Sequence, residues 1–150
     1  MVSVGSLMID LSKIQNSHLL TDVFGKFPSF HDAEVHRLNL VRGETRSFNQ
    51  ALFALIHVFE MTSEVDEKKR YVLENHVLVQ FRFSKVNDLE IAGFNHQNVL
   101  QFLEMTEISD AEDETAEFEV LFEGIFGVSA KFRCEAISIE SVTPYERKAA

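Results

Sequence analysis

The chain has no tryptophan, two prolines and one cysteine in 150 residues. A lone cysteine cannot close an internal disulfide, so non-covalent packing must carry the fold; the count suits a reducing, cytoplasmic setting. Cys134 lies in an apolar alternation, where a thiol acts as a small inert core residue rather than a nucleophile. The longest apolar run falls far short of the roughly 18 residues that mark a membrane-crossing helix. The N-terminal stretch has no basic flank and is interrupted by Asp10, which argues against a secretory signal. No HExxH, GxSxG or glycine-rich phosphate loop occurs, so no catalytic residue, metal or cofactor is expected. The absence with a direction is that of positive charge. Residues 86–130 contain 11 Asp or Glu and no Lys or Arg. Residues 1–85 balance at 10 basic and 10 acidic, and residues 131–150 hold 4 basic and 3 acidic, so the net charge of −10 arises in that one segment. Such a field repels nucleic acid and anionic membranes and attracts basic partners.

What is abundant is phenylalanine, at 14 residues, set mostly at strand period. A short helix is expected after Ser17, with Leu19, Leu20, Val23 and Phe24 on its apolar face and Gly25 as its stop. From Asp32 the period becomes two, with Leu38 and Leu40 on one face and Ala33, Val35 and Val41 on the other. Ala51 to Met61 is apolar on both faces, which predicts a strand covered on both sides. Val77, Val79, Phe81 and Phe83 line one face of the next strand. Asn87-Asp88 suits a turn, and Leu89 and Ile91 a short strand ended by Gly93. Val99 to Ile108 reads as a strand or a short helix; as a strand it must twist or bulge for Leu100 and Phe102 to oppose Leu103 and Met105. Phe118, Val120 and Phe122 alternate with Glu117, Glu119 and Glu123. Between Lys131 and Glu140 the parity changes, which predicts a bulge near Glu135-Ala136.

Six to eight strands at intervals of about ten residues, with one short helix, predict a mainly β (β-rich α+β) fold. The expected form is a curled antiparallel sheet or a two-layer β-sandwich with one short N-terminal helix. Residues 1–150 are expected to form a single domain, with 1–16 as a lead-in arm and 146–150 as a frayed tail. An exposed sheet edge gives a route to a dimer.

Two polar stretches stand out. The first, FPSFHDAEVHRLNLV, spans Phe27 to Val41. If it were a regular strand, Asp32, Glu34 and His36 would share a face, and His31, Asp32, Glu34 and His96 would make an alternative metal-dependent or small-ligand site. A hydrogen-bonded turn that seats the helix on the sheet is the favoured alternative, since no pair has a metal-specific spacing. The second, FNHQN, places Asn95, His96, Gln97 and Asn98 between apolar runs, either as a tight turn or as a recognition loop.

The segments FHDAEV (Phe30 to Val35), HVFEMT and GFNHQNVL (Gly93 to Leu100), in this order, resemble the immunity protein 50 family of bacterial polymorphic toxin systems, from about Leu20 to Ile139. Phe27 stands where many members have Trp. The resemblance implies a non-enzymatic, cytoplasmic protein that binds and neutralises a toxin. Phe30, His31, Asp32, Glu34, Asn95, His96, Gln97 and Asn98 carry the motif and are expected to be structural, and the resemblance gives no set of interface residues. The charge pattern adds that a basic toxin, such as a nuclease, would be steered by Asp110, Glu112, Asp113 and Glu114 together with Glu117 and Glu119.

Overall fold

Wherever apolar residues recur at period two, the chain forms strands. The computed structural model describes residues 7–44, 46–108 and 117–146. These residues form ten strands and one α-helix: β1 (Leu7–Met8), β2 (Ile14–Gln15), α1 (His18–Phe24), β3 (Glu34–Val41), β4 (Ala51–Val65), β5 (Tyr71–Ser84), β6 (Asn87–Ala92), β7 (Val99–Glu107), β8 (Phe118–Phe126), β9 (Ser129–Cys134) and β10 (Ala136–Pro144). They join in one sheet of order β2-β10-β5-β4-β3-β7-β8-β9-β6, with β1 beside β7. The long strands pair antiparallel, as expected. The lead-in arm adds two short parallel pairings, β1 on β7 and β2 on β10, which make the sheet mixed.

The sheet narrows at one seam. β3 and β7 share a single paired position, Glu34 with Val99. On one side of it lie β3, β4, β5, β10 and β2; on the other lie β7, β8, β9 and β6. The two halves meet face to face through one hydrophobic core. Phe83 on β5 meets Phe122 on β8 at 6.1 Å and Phe132 on β9 at 5.0 Å, both edge-on. The expected helix forms, with Leu20 and Phe24 buried and Gly25 left-handed at φ 73°, its N–H bonded to Thr21 O. A left-handed position suits Gly because it has no Cβ to clash.

Several expectations on strand faces need correction. β3 is irregular between Val35 and Arg37, so His36 is an extra residue and the faces switch there. Beyond it Leu38 and Leu40 share a face, as expected, and join the side that Val35 occupies before it; Leu38 packs against the core, while Leu40, near the strand's end, is 58% exposed. The bulge removes the regular face on which Asp32, Glu34 and His36 were expected to align. β4 is buried on one face through Leu52, Ala54, Ile56 and Val58, but Phe53, Leu55 and Phe59 on the other are half-buried. The second half of the sheet covers only the inner face, so double coverage fails. The turn expected at Asn87-Asp88 falls earlier, where the Lys85 N–H bonds Gln50 O and Lys85 is left-handed at φ 56°. No bulge repairs the parity at Glu135. Instead the chain leaves β9 for β10 there, passing from one half of the sheet to the other. Cys134 and Ile137 are both buried because they enter the same core from opposite sides. The bulge expected in β7 is present between Leu100 and Phe102, which puts Leu100, Leu103 and Met105 on the buried face.

Candidate functional site

The two polar motifs, some sixty residues apart in sequence, form one junction at the seam. In FHDAEV, Phe30 is 3% exposed and lies 5.8 Å from both Phe27 and Phe81, plugging the core. Asp32 is left-handed at φ 69°, a conformation that Asp tolerates better than most residues, and the Ala33 N–H closes the turn on Phe30 O at 3.0 Å. Backbone bonds then join the motifs: Asp32 N to Leu100 O, Leu100 N to Ala33 O and Val35 N to Asn98 O, each 2.8 Å. His31 is exposed, with Nδ1 3.0 Å from Gln101 O.

Asn98 is the pin of this junction, at 3% exposed. Its Oδ1 accepts the N–H groups of Asn95 (2.9 Å) and Val128 (3.2 Å). Its Nδ2 donates to Asn95 O (2.8 Å) and Val35 O (3.3 Å). One side chain thus ties the FNHQN loop, β3 and the β8–β9 turn. Asn95 Oδ1 in turn accepts the Gln97 N–H at 2.8 Å. The β8–β9 turn comes so close that a Cβ on Gly127 would sit 2.5 Å from Asn98 Oδ1, so only glycine fits. FNHQN is therefore a hydrogen-bonded turn whose outer residues, Phe94 to Gln97, face solvent.

The cluster His31, Asp32, Glu34 and His96 does not assemble. His31 lies 3.6 Å from Asp32, and Glu34 lies 3.4 Å from His36, as two separate pairs. Among the described residues no group of three or more His, Cys, Asp or Glu is placed to hold a metal. The opening motif joins β3 to β7 through its backbone bonds to Asn98 and Leu100.

A different histidine group does form, on the outer face of β3, β4 and β5. His57, 8% exposed, has its Nε2 2.9 Å from His76 Nδ1, so one ring donates and the other accepts. Tyr145 packs on His57 at 4.4 Å and on His36 at 5.4 Å, and Phe59 lies against both His57 and His76. The Tyr145 N–H bonds His76 O at 3.0 Å, so the cluster fastens the segment after β10 to the sheet. The signal for it was the single polar residue, His57, inside the apolar run Ala51 to Phe59.

Asp110, Glu112, Asp113 and Glu114 lie outside the described residues. Glu117 is exposed at the start of β8. Glu119 faces β9, 3.9 Å from Lys131 and 3.8 Å from Arg133, so two cations offset much of its charge.

Residues 16–145 match the family described as Immunity protein 50. The chain belongs to that family. No curated protein and no solved structure matches it. Membership in an immunity family implies a toxin as partner in general, and such families are generally non-enzymatic. No helix among the described residues is long and apolar enough to cross a membrane.

Cys134 bears on chemistry because it is the one thiol. Burial pushes it up to about 12; Glu117 and Glu135 act in the same direction, against an opposing backbone hydrogen bond from Ala136. A neutral, buried thiol is a poor nucleophile. In native immunity protein, iodoacetamide is expected to label Cys134 at least ~100-fold more slowly than in urea-unfolded chain. Comparable rates would show an accessible thiolate. Because the folded value lies above the reference value of 9.0, this group's stabilisation is present below about pH 9 and is lost as pH rises toward about 12.

Proposed function

We propose that this protein binds and neutralises a cognate toxin in the cytoplasm, without doing chemistry on it, and that its acidic segment steers a basic toxin, such as a nuclease, onto it. The family match over residues 16–145 carries the proposal. The charge pattern supports its second half: all of the net −10 arises between residues 86 and 130. Complementary charge can raise association to roughly 10⁸–10⁹ M⁻¹s⁻¹ at low salt, against about 10⁵–10⁶ without it. Fast capture suits a partner that is already dangerous inside the cell. Within the polar motifs, His31, Asn95 and Asn98 serve the scaffold, since their side chains bind backbone groups.

The test is stopped-flow association with the purified toxin domain encoded beside the immunity gene. Neutralising Asp110, Glu112, Asp113 and Glu114 together (to Asn or Gln) is expected to slow association roughly tenfold at low salt and flatten its salt dependence. Glu119→Gln alone is expected to slow association by a smaller factor, since it removes one negative charge and leaves Lys131 and Arg133 without that carboxylate. An unchanged on-rate in the quadruple variant would reduce those residues to a solvated face.

A further inference from the structure

Steering brings partners together but does not hold them; tight complexes need buried apolar or aromatic anchors. Four large apolar side chains sit in the open near the motif junction: Ile91 at 38% exposed, Phe94 at 47%, Ile125 at 42% and Phe126 at 57%. They belong to two segments that touch. Gly93 and Gly127 approach so closely that a Cβ on Gly93 would lie 2.5 Å from Gly127 O. Ala92 also pairs with Ser129, and Phe126 with Val99. A shallow groove of about 210 Å³, lined in part by Ile91, Ala92, Leu121 and Ala130, continues from this point along β6, β9 and β8.

Two features distinguish these residues from chance exposed hydrophobics. The first is rigidity. The backbone beneath them is fixed by Asn98, which binds the N–H groups of Asn95 on one segment and Val128 beside the other. A surface ordered before binding loses little entropy on binding. The second is charge. All four lie in the segment that has no Lys or Arg. Glu90 adjoins Ile91 in sequence and is exposed, and Glu123 precedes Ile125 by two residues. Lys131, which also lines the groove, lies 3.9 Å from Glu119.

We infer that Ile91, Phe94, Ile125 and Phe126 form the anchor surface for the toxin, which meets them with an apolar recess rimmed by Lys or Arg. An apolar centre within a charged rim is the usual anatomy of a tight interface. The acidic rim disfavours the other occupants: a second copy would oppose like charges, and an anionic membrane would be repelled. This inference rests on the toxin-binding reading and adds the location of the contact and the partner's surface chemistry.

The experiment compares wild type, Phe94→Ser/Phe126→Ser and Ile91→Ser/Ile125→Ser, each shown to be folded by its urea transition, for binding to the purified neighbouring toxin domain. Loss of two anchors is expected to weaken binding by roughly 100-fold or more, almost wholly through faster dissociation, with on-rate and salt slope retained. That pattern is the inverse of the one expected on removing acidic residues. Wild-type off-rates in both folded variants would overturn the anchor surface while leaving toxin binding intact. A wild-type protein that neither binds the toxin domain nor protects cells from it would overturn both. A dimer in size-exclusion chromatography that Phe94→Ser/Phe126→Ser dissolves would assign the patch to a second copy and overturn the inference.

Discussion

Asn98→Ala is expected to cost the fold about 3 kcal/mol, more than almost any other polar substitution in this chain. The side chain makes four hydrogen bonds, of which those to Val128 N and Val35 O are buried. Truncation strands one buried donor and one buried acceptor, each costing about 1–3 kcal/mol. The groups freed on Asn95 lie nearer the surface and can turn to water. Asn98→Asp separates the two halves of the role: it keeps the acceptor but sets a carboxylate oxygen against the carbonyls of Val35 and Asn95. It should therefore destabilise at least as much as alanine does. Urea unfolding gives the free energies, and hydrogen exchange at Val128 gives the local effect. A loss below about 1 kcal/mol in both variants would mean that water replaces the side chain and that the seam is held by its backbone bonds alone.

Phe83→Ala is expected to be costlier still, at about 4–5 kcal/mol. The ring is fully buried, stacks on Phe81 at 5.6 Å and 8°, and meets Phe122 and Phe132 edge-on. It is the point at which β5 grips the opposite half of the sheet, so its removal opens a void lined by three other rings. Since a domain has only about 5–15 kcal/mol of stability, this variant should stand close to unfolding at physiological temperature. Phe83→Leu, which keeps most of the volume, should cost roughly 1–2 kcal/mol. Thermal and urea transitions decide it. A Phe83→Ala loss under about 2 kcal/mol would show that the two halves are held together elsewhere.

Legibility from sequence followed the range of the interaction. Helix α1 was readable because Gly25 and the spacing of Leu20 and Phe24 are local facts. β8 was readable because Phe118, Val120 and Phe122 alternate without interruption. The extra residue at His36 was not, since one inserted residue reverses every later face without altering composition. The passage between layers at Glu135 looked like a bulge because Cys134 and Ile137 are buried in either case. The motifs were visible as unusual clusters, but the sequence could not show that FHDAEV and GFNHQNVL complete one another. The His57 cluster escaped for the same reason: its partners come from β3, β5 and the segment after β10. Charge was legible to the residue, whereas the exposure of Phe94 and Phe126 is visible only in the fold.

The position of β10 has a temporal consequence. The last of the described strands in chain order adds to β5 at the edge of the long strands, flanked on its other side only by the two-residue β2, with Ile137 beside Ile14. Half of the sheet therefore lacks the strand that supplies the buried Ile137 and Ile139 until residue 144 has left the ribosome. At about 5–20 residues per second, the stretch from the end of β5 to the end of β10 takes roughly 3–12 s to make, and pairing across so long a stretch of chain is itself slow. In the toxin-neutralising role proposed for it, a copy begun after a toxin arrives would be of no use during that time. Protection would rest on molecules completed beforehand, which makes the standing pool, rather than induced synthesis, the quantity that matters.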